Sequence, residues 1–337
     1  MRRRTPLLLA AMFCLTIAAG AAENWTSITV KDGLPGNEIQ FLKEDRTGKI
    51  WIGTDSGLAR WEEGALSVLL DEGRAWDVLA RGPKNYWVGT GNGVLRIKGD
   101  SQERQLAGNT VSPILRYRKD VIWALAKSRR TEQNFVVEHT SEGWGKLGAF
   151  KDKKIADLYR TSDGKLWVAE DGDGVHEVNP KAGPQKAAHH LRGLNVTALM
   201  QDSKGRTWCG LWNRGVRVLE DDRWESHLTG EETYVLAIDE DCNGTVWVAT
   251  SSDGLWAFDG DSWKQHKAEA GPINLLSTTS DGRVWISTQS KGGLEYWDGD
   301  AWQVSLPGPL PIRCVMEADN AWIWAGGILD GIHLMKK

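Results

Sequence analysis

Few residues in this chain are spaced for bond-making chemistry. No G-x-S-x-G nucleophile elbow, H-E-x-x-H zinc motif or glycine-rich phosphate loop occurs among its 337 residues. Seven histidines, His139, His176, His189, His190, His227, His266 and His333, are scattered. The pair His189-His190 could meet a neighbouring carboxylate, but the simpler expectation is two solvated side chains on an outer strand. Glu170-Asp171-Gly172-Asp173-Gly174 has the residue types of a calcium loop without its later glutamate or full D-x-D-x-D spacing, so it reads as a turn. Asp259-Gly260-Asp261 and Asp298-Gly299-Asp300 recur at matching places and are turn chemistry as well. Beyond Cys14, the cysteines are Cys209, Cys242 and Cys314. An odd number without C-x-x-C spacing indicates neither a zinc site nor a disulfide framework, although Cys209 and Cys242 could pair. No catalytic set, metal site or cofactor is expected.

Recognition chemistry is better represented. In Leu211-Trp212-Asn213-Arg214-Gly215 an indole can stack on the apolar face of a sugar or a partner, while Asn and Arg supply hydrogen bonds. Asp171 and Asp173 occupy the equivalent stretch some forty residues earlier, and Arg129 and Arg130 the one before that. Trp76, Arg192, Glu231 and Glu232 fall in connecting segments expected on the same side.

What must position these side chains is a repeat. Trp51, Trp87, Trp123, Trp167, Trp208, Trp247, Trp285 and Trp324 stand in similar surroundings, 36 to 44 residues apart. Each full unit reads as an apolar segment, an Asp/Gly hairpin turn, the Trp strand, a second turn ending on Gly, a third strand and an outer strand. Gly allows positive φ in such turns and Asp bonds its own backbone. Ile50-Trp51-Ile52 is apolar without alternation, as a strand buried on both faces requires. Four antiparallel strands at a fixed period near forty predict an all-β propeller of eight four-stranded blades, with these tryptophans as structural anchors. The third unit is the weak place in that count. It has a charged loop over 126–134 where the short Gly turn is expected, and without it seven blades would remain.

The two ends are complementary. The last unit lacks an outer strand, and Asn24-Trp25-Thr26-Ser27-Ile28-Thr29-Val30 resembles the outer strands around Trp224, Trp263 and Trp302. The N-terminal strand is therefore expected to complete the last blade, leaving no free edge. Ahead of it, Met1-Arg2-Arg3-Arg4, an apolar run and Ala19-Gly20-Ala21-Ala22 have the pattern of a secretory signal peptide over residues 1–22. A single propeller domain over 23–337 follows, expected in the periplasm or outside the cell, as a monomer without a membrane span. The formal net charge of −4, with both signs interspersed, argues against a nucleic-acid partner.

Gly33-Leu34-Pro35-Gly36-Asn37 together with Asp45-Arg46-Thr47-Gly48-Lys49-Ile50-Trp51-Ile52-Gly53-Thr54 resembles the two-component regulator propeller repeat. That resemblance implies the periplasmic sensor propeller of hybrid histidine kinases, many of them associated with polysaccharides. The expected function is thus a non-enzymatic, sensor-like module binding a small molecule, a glycan or an envelope protein, with no signalling output on this chain. The alternative is a propeller lyase. Streptogramin lyases carry similar D-x-x-G-x-I-W units and use a His with a divalent metal at the channel mouth. His189 with Glu231 or Glu232 would be the residues to converge there.

Overall fold

A computed structural model describes residues 25–337 apart from 83, 119, 152, 229–232, 269–270, 289–291 and 309–311. The expected signal peptide lies outside the described residues. Those described form eight four-stranded antiparallel sheets. Blade 1 runs Ile39–Glu44, Ile50–Thr54, Leu58–Glu62 and Ala65–Leu70, and the later blades repeat this order. First strands of neighbouring blades approach one another and so surround the axis, while the fourth strands lie outermost. The third unit forms a complete blade: Asn109–Arg116, Ile122–Ser128, Asn134–Thr140 and Gly143–Lys146. Its charged loop lengthens one turn and leaves the sheet intact.

Blade-to-blade packing explains the tryptophans. Eight buried clusters hold the molecule together, and each combines the anchor Trp of one blade with apolar residues of the next. Trp208 packs on Val235, Val246 and Val248, Trp247 on Ile273, Val284 and Ile286, and Trp324 on Ile39, Ile50 and Ile52. Their indole N–H groups need acceptors when buried. Trp51, Trp208 and Trp247 donate to Asp45, Asp202 and Asp241, six residues earlier, at 2.8–2.9 Å. The same aspartates accept the backbone N–H groups of their own hairpin turns. One carboxylate thus shapes the turn and satisfies the core tryptophan.

Closure follows the complementarity of the ends. Thr26–Ile28 pairs antiparallel with the third strand of blade 8, Ile332–Lys336. Trp25 donates its indole N–H to Ser305 of blade 7 at 3.1 Å. Trp224 and Trp263 make the same outer-strand bond to the preceding blade, to Nδ1 of His190 and His227 at 3.3 Å. A Cβ on Gly215 would strike the Leu228 carbonyl at the end of its own outer strand, and one on Gly331 would strike the Ile28 carbonyl. Ile28 therefore stands where the repeat puts an outer strand.

One pairing considered from the sequence is corrected. Cys209 and Cys242 are both free, the first buried and the second exposed. Cys209 belongs to the cluster between blades 4 and 5, around Trp167. The Cys242 thiol instead faces Gly282 of blade 7.

Candidate functional site

A repeated backbone bond defines one face of the ring. The turn between second and third strands donates an N–H to the carbonyl just ahead of, or at the start of, the same blade's first strand. Asp55 donates to Glu38, Gly91 to Arg74, Arg129 to Gly108, Asp171 to Lys154, Trp212 to Asn195 and Ser251 to Tyr234, at 2.7–3.2 Å. These turns and the blade-to-blade connections therefore share a face, and the hairpin turns after the first strands lie opposite. Nearly all the recognition residues expected from the sequence fall on that face. Arg129, Arg130, Asp171, Arg192, Asn213 and Arg214 are exposed there, and Asp173 and Trp76 are half-buried. Glu231 and Glu232 lie outside the described residues.

Trp212 is the principal aromatic of this face. Its side chain is 48% exposed, unlike the buried anchors. Tyr234, from the connection between blades 5 and 6, lies against it at 4.1 Å between ring centroids and an angle of 35°. Asn213 turns the chain with a φ of 66°, a left-handed conformation that Asn tolerates better than most residues. Sequence reasoning missed Tyr234 because the two rings are 22 residues apart, in a connection whose length the repeat does not fix. On blade 2, Trp76 carries the Arg74 guanidinium over its ring at 5.1 Å. Arg74 and Arg313 both reach Glu38, at 3.0 and 3.1 Å, joining blades 2 and 8 to the start of blade 1.

Blade 4 brings together a second group. Glu170 ends the second strand, His176 lies on the third, and His189 lies on the outer strand directly opposite His176. The His176 Nε2 is 2.8 Å from a Glu170 carboxylate oxygen, which also receives the Lys153 ammonium at 2.7 Å. The two imidazoles stack at 4.0 Å and 24°. His189 Nε2 meets the Asp173 carbonyl at 2.6 Å and lies 3.7 Å from its carboxylate. Burial opposes the Glu170 charge, but its bonds to Lys153 and His176 outweigh that and hold its pKa below the ordinary carboxylate value. Burial pushes the His176 pKa below the ordinary histidine value, against the opposing pull of Glu170. The Gly193 N–H bonds the Asp173 carboxylate at 2.8 Å and lowers its pKa below the ordinary value.

The expectation that His189 and His190 are two solvated side chains is therefore wrong. His190 is drawn into the contact with the outer strand of blade 5, and His189 lies flat on His176 of its own blade. His190 accepts the Trp224 N–H and lies 3.2 Å from Glu177, whose pKa that contact helps lower to about 2. The turn reading of 170–174 holds for its backbone, with Asp173 N–H donating to the Glu170 carbonyl. It did not anticipate the contacts of the Glu170 carboxylate, because Lys153 ahead of the first strand and His176 on the third strand supply them.

Residues 33–56 match the family model described as two component regulator propeller. Among solved structures, the chain is similar to the extracellular domain of the hybrid two component system BT3049 from B. thetaiotaomicron. That likeness has 17% identity and a TM-score of 0.60, covering 93% of this chain and 42% of that one. The corresponding domain of BT4673 from the same organism has 15% identity and a TM-score of 0.56, with 90% and 44% covered. A streptogramin B lyase has 10% identity and a TM-score of 0.60, with 94% and 98% covered. The chain thus spans less than half the length of the sensor domains it resembles. At these identities the likeness is one of fold. No curated protein matches the chain, and among the described residues no helix is long and apolar enough to cross a membrane.

Proposed function

We propose that this protein is an exported, non-enzymatic binding propeller, sensor-like in construction, whose ligand face carries the turns between second and third strands. The observation that carries the reading is the exposed Trp212 ring backed by Tyr234, beside Asn213 and Arg214. An indole held in place by a second ring presents a flat apolar surface at little entropic cost, and the neighbouring amide and guanidinium can bond hydroxyl or carboxylate oxygens. A saccharide combines an apolar C–H face with such a rim, so a glycan is the preferred ligand class. Asp171, Asp173, Arg192, Arg129, Arg130 and Trp76 extend the surface around the ring, and Glu231 is proposed to join them. The likeness to sensor extracellular domains supports the reading. So does the leader-like sequence over 1–22, which would place the protein in the periplasm or outside the cell.

The lyase alternative calls for a histidine and a carboxylate at the channel mouth. Glu170, His176 and His189 sit on the second, third and outer strands of blade 4, whereas the first strands surround the axis. That placement favours binding over catalysis. Thermal unfolding of the mature protein against an oligosaccharide panel tests the proposal. At 100-fold excess over Kd, a ligand adds about 2.7 kcal/mol of stability. One glycan class should raise the Tm by a few degrees, and Trp212→Ala should abolish the rise without lowering the Tm of the free protein. A shift that survives Trp212→Ala would sink this assignment of the face.

A further inference from the structure

The Glu170–His176–His189 group is not explained by the repeat. At the position of Glu170, blades 1, 2 and 6 carry Thr54, Thr90 and Thr250, whose hydroxyls donate to the carbonyl of Gly57, Gly93 and Gly254 and close the turn. A Glu170 carboxylate has no donor for that task, and it is turned instead toward His176. Unlike His190, His189 makes no outer-strand bond of the Trp224 kind, and its ring lies flat on His176. One donor atom from each of the three side chains lies within 4.8 Å of the other two.

We propose that Glu170, His176 and His189 bind a zinc ion. Two imidazoles and one carboxylate are a donor set that suits zinc, and magnesium or calcium would require more oxygen ligands. A tetrahedral ion bonded at about 2.0–2.2 Å sets its donors about 3.3–3.6 Å apart. Glu170 and His176 are already closer than that, at 2.8 Å. His189 has to turn out of its stack on His176 and away from the Asp173 carbonyl, because an imidazole binds a metal in its ring plane. The fourth position falls to water or to the Asp173 carboxylate, 3.7 Å from His189 Nε2. On binding, each ligating nitrogen presents its lone pair, with any proton on it moving to the other ring nitrogen or to solvent. The Lys153 ammonium leaves Glu170 for solvent; its side chain is already partly exposed, so the exchange is local. The ion would tie three strands of blade 4 together just beneath Asp171 and Asp173, and thereby order that part of the exposed face. This site does not depend on the glycan reading.

Titration of the metal-stripped full chain with zinc chloride, followed by calorimetry, tests it, with magnesium chloride in parallel. The expected result is one zinc per chain, no saturable magnesium binding, and at least a tenfold loss of zinc affinity in His189→Ala and Glu170→Gln. Lys153→Ala removes the competing cation and should tighten zinc binding. Circular dichroism establishes that each variant is folded. If either ligand variant does not fold, Lys153→Ala decides alone: tighter binding supports the site, and unchanged or weaker binding overturns it. Weak, unsaturable zinc binding by the folded wild-type chain, or affinity unaffected in a folded His189→Ala, also overturns it.

Discussion

At the scale of single residues, the fold depends on polar partners for rings that must be buried. The Trp224 and Trp263 N–H groups can only donate, so Nδ1 of His190 and His227 must be unprotonated to accept them. His227 lies beside the ring of Trp208, His266 beside Trp247, and His139 against Trp87 of the preceding blade. Burial lowers the pKa of all three histidines, with neighbouring cations such as Arg96 and Lys264 adding to it at His139 and His266. The unfolded chain therefore binds protons that the folded chain refuses. Stability from these groups is complete above the ordinary histidine pKa of about 6.5 and declines as pH falls from there toward the folded values. The Tm should be lower at pH 5 than at pH 7.5, and His227→Gln should reduce the difference. A Tm flat across that range would refute the link. This coupling was missed in the sequence: His190, His227 and His266 recur 37 and 39 residues apart at the ends of outer strands, but which tryptophan each meets is set only by packing within or between blades.

At the scale of the strand, ring closure was written in the sequence because the repeat reports what is missing. Trp25 and Ile28 resemble the outer-strand residues of the other blades. Their places are confirmed by the Trp25–Ser305 bond and by the approach of Ile28 to Gly331. Ile28 is fully buried, so Ile28→Ala should cost about 2–5 kcal/mol by lost transfer energy and cavity formation. Removing residues 25–29 should do more, exposing the Ile332–Lys336 edge to pairing with other chains. Denaturant unfolding and size-exclusion chromatography would measure both effects. A truncated chain that remains monomeric with an unchanged midpoint would mean that the strand is dispensable. The Cys209–Cys242 pair shows the limit of the same reasoning. Adjacent repeats give adjacency along the chain, but the burial of one thiol and the exposure of the other depend on which blade interface each faces.

At the scale of the whole molecule, the ring separates two tasks. Its interior is specified by a periodic set of tryptophans, aspartates and glycines, which is why blade number was readable from spacing alone. The function proposed for it rests where the period lapses, at Trp212, Asp171, Asp173 and Arg192, as does the proposed ion site at Glu170. A departure from the repeat can be seen in sequence, but its meaning needs the neighbouring turn, as Tyr234 against Trp212 and His189 against His176 both show. The central claim is that ligand is held on the face bearing the turns between second and third strands. Amide hydrogen exchange, with and without the glycan identified by the melting panel, tests it most directly. The account predicts added protection in the turns at 171–174 and 212–215 and in the connections around Arg192 and Tyr234, with none in the hairpin turns at 45–48, 202–205 and 241–244. Protection confined to those hairpin turns would place the ligand on the opposite face and contradict it.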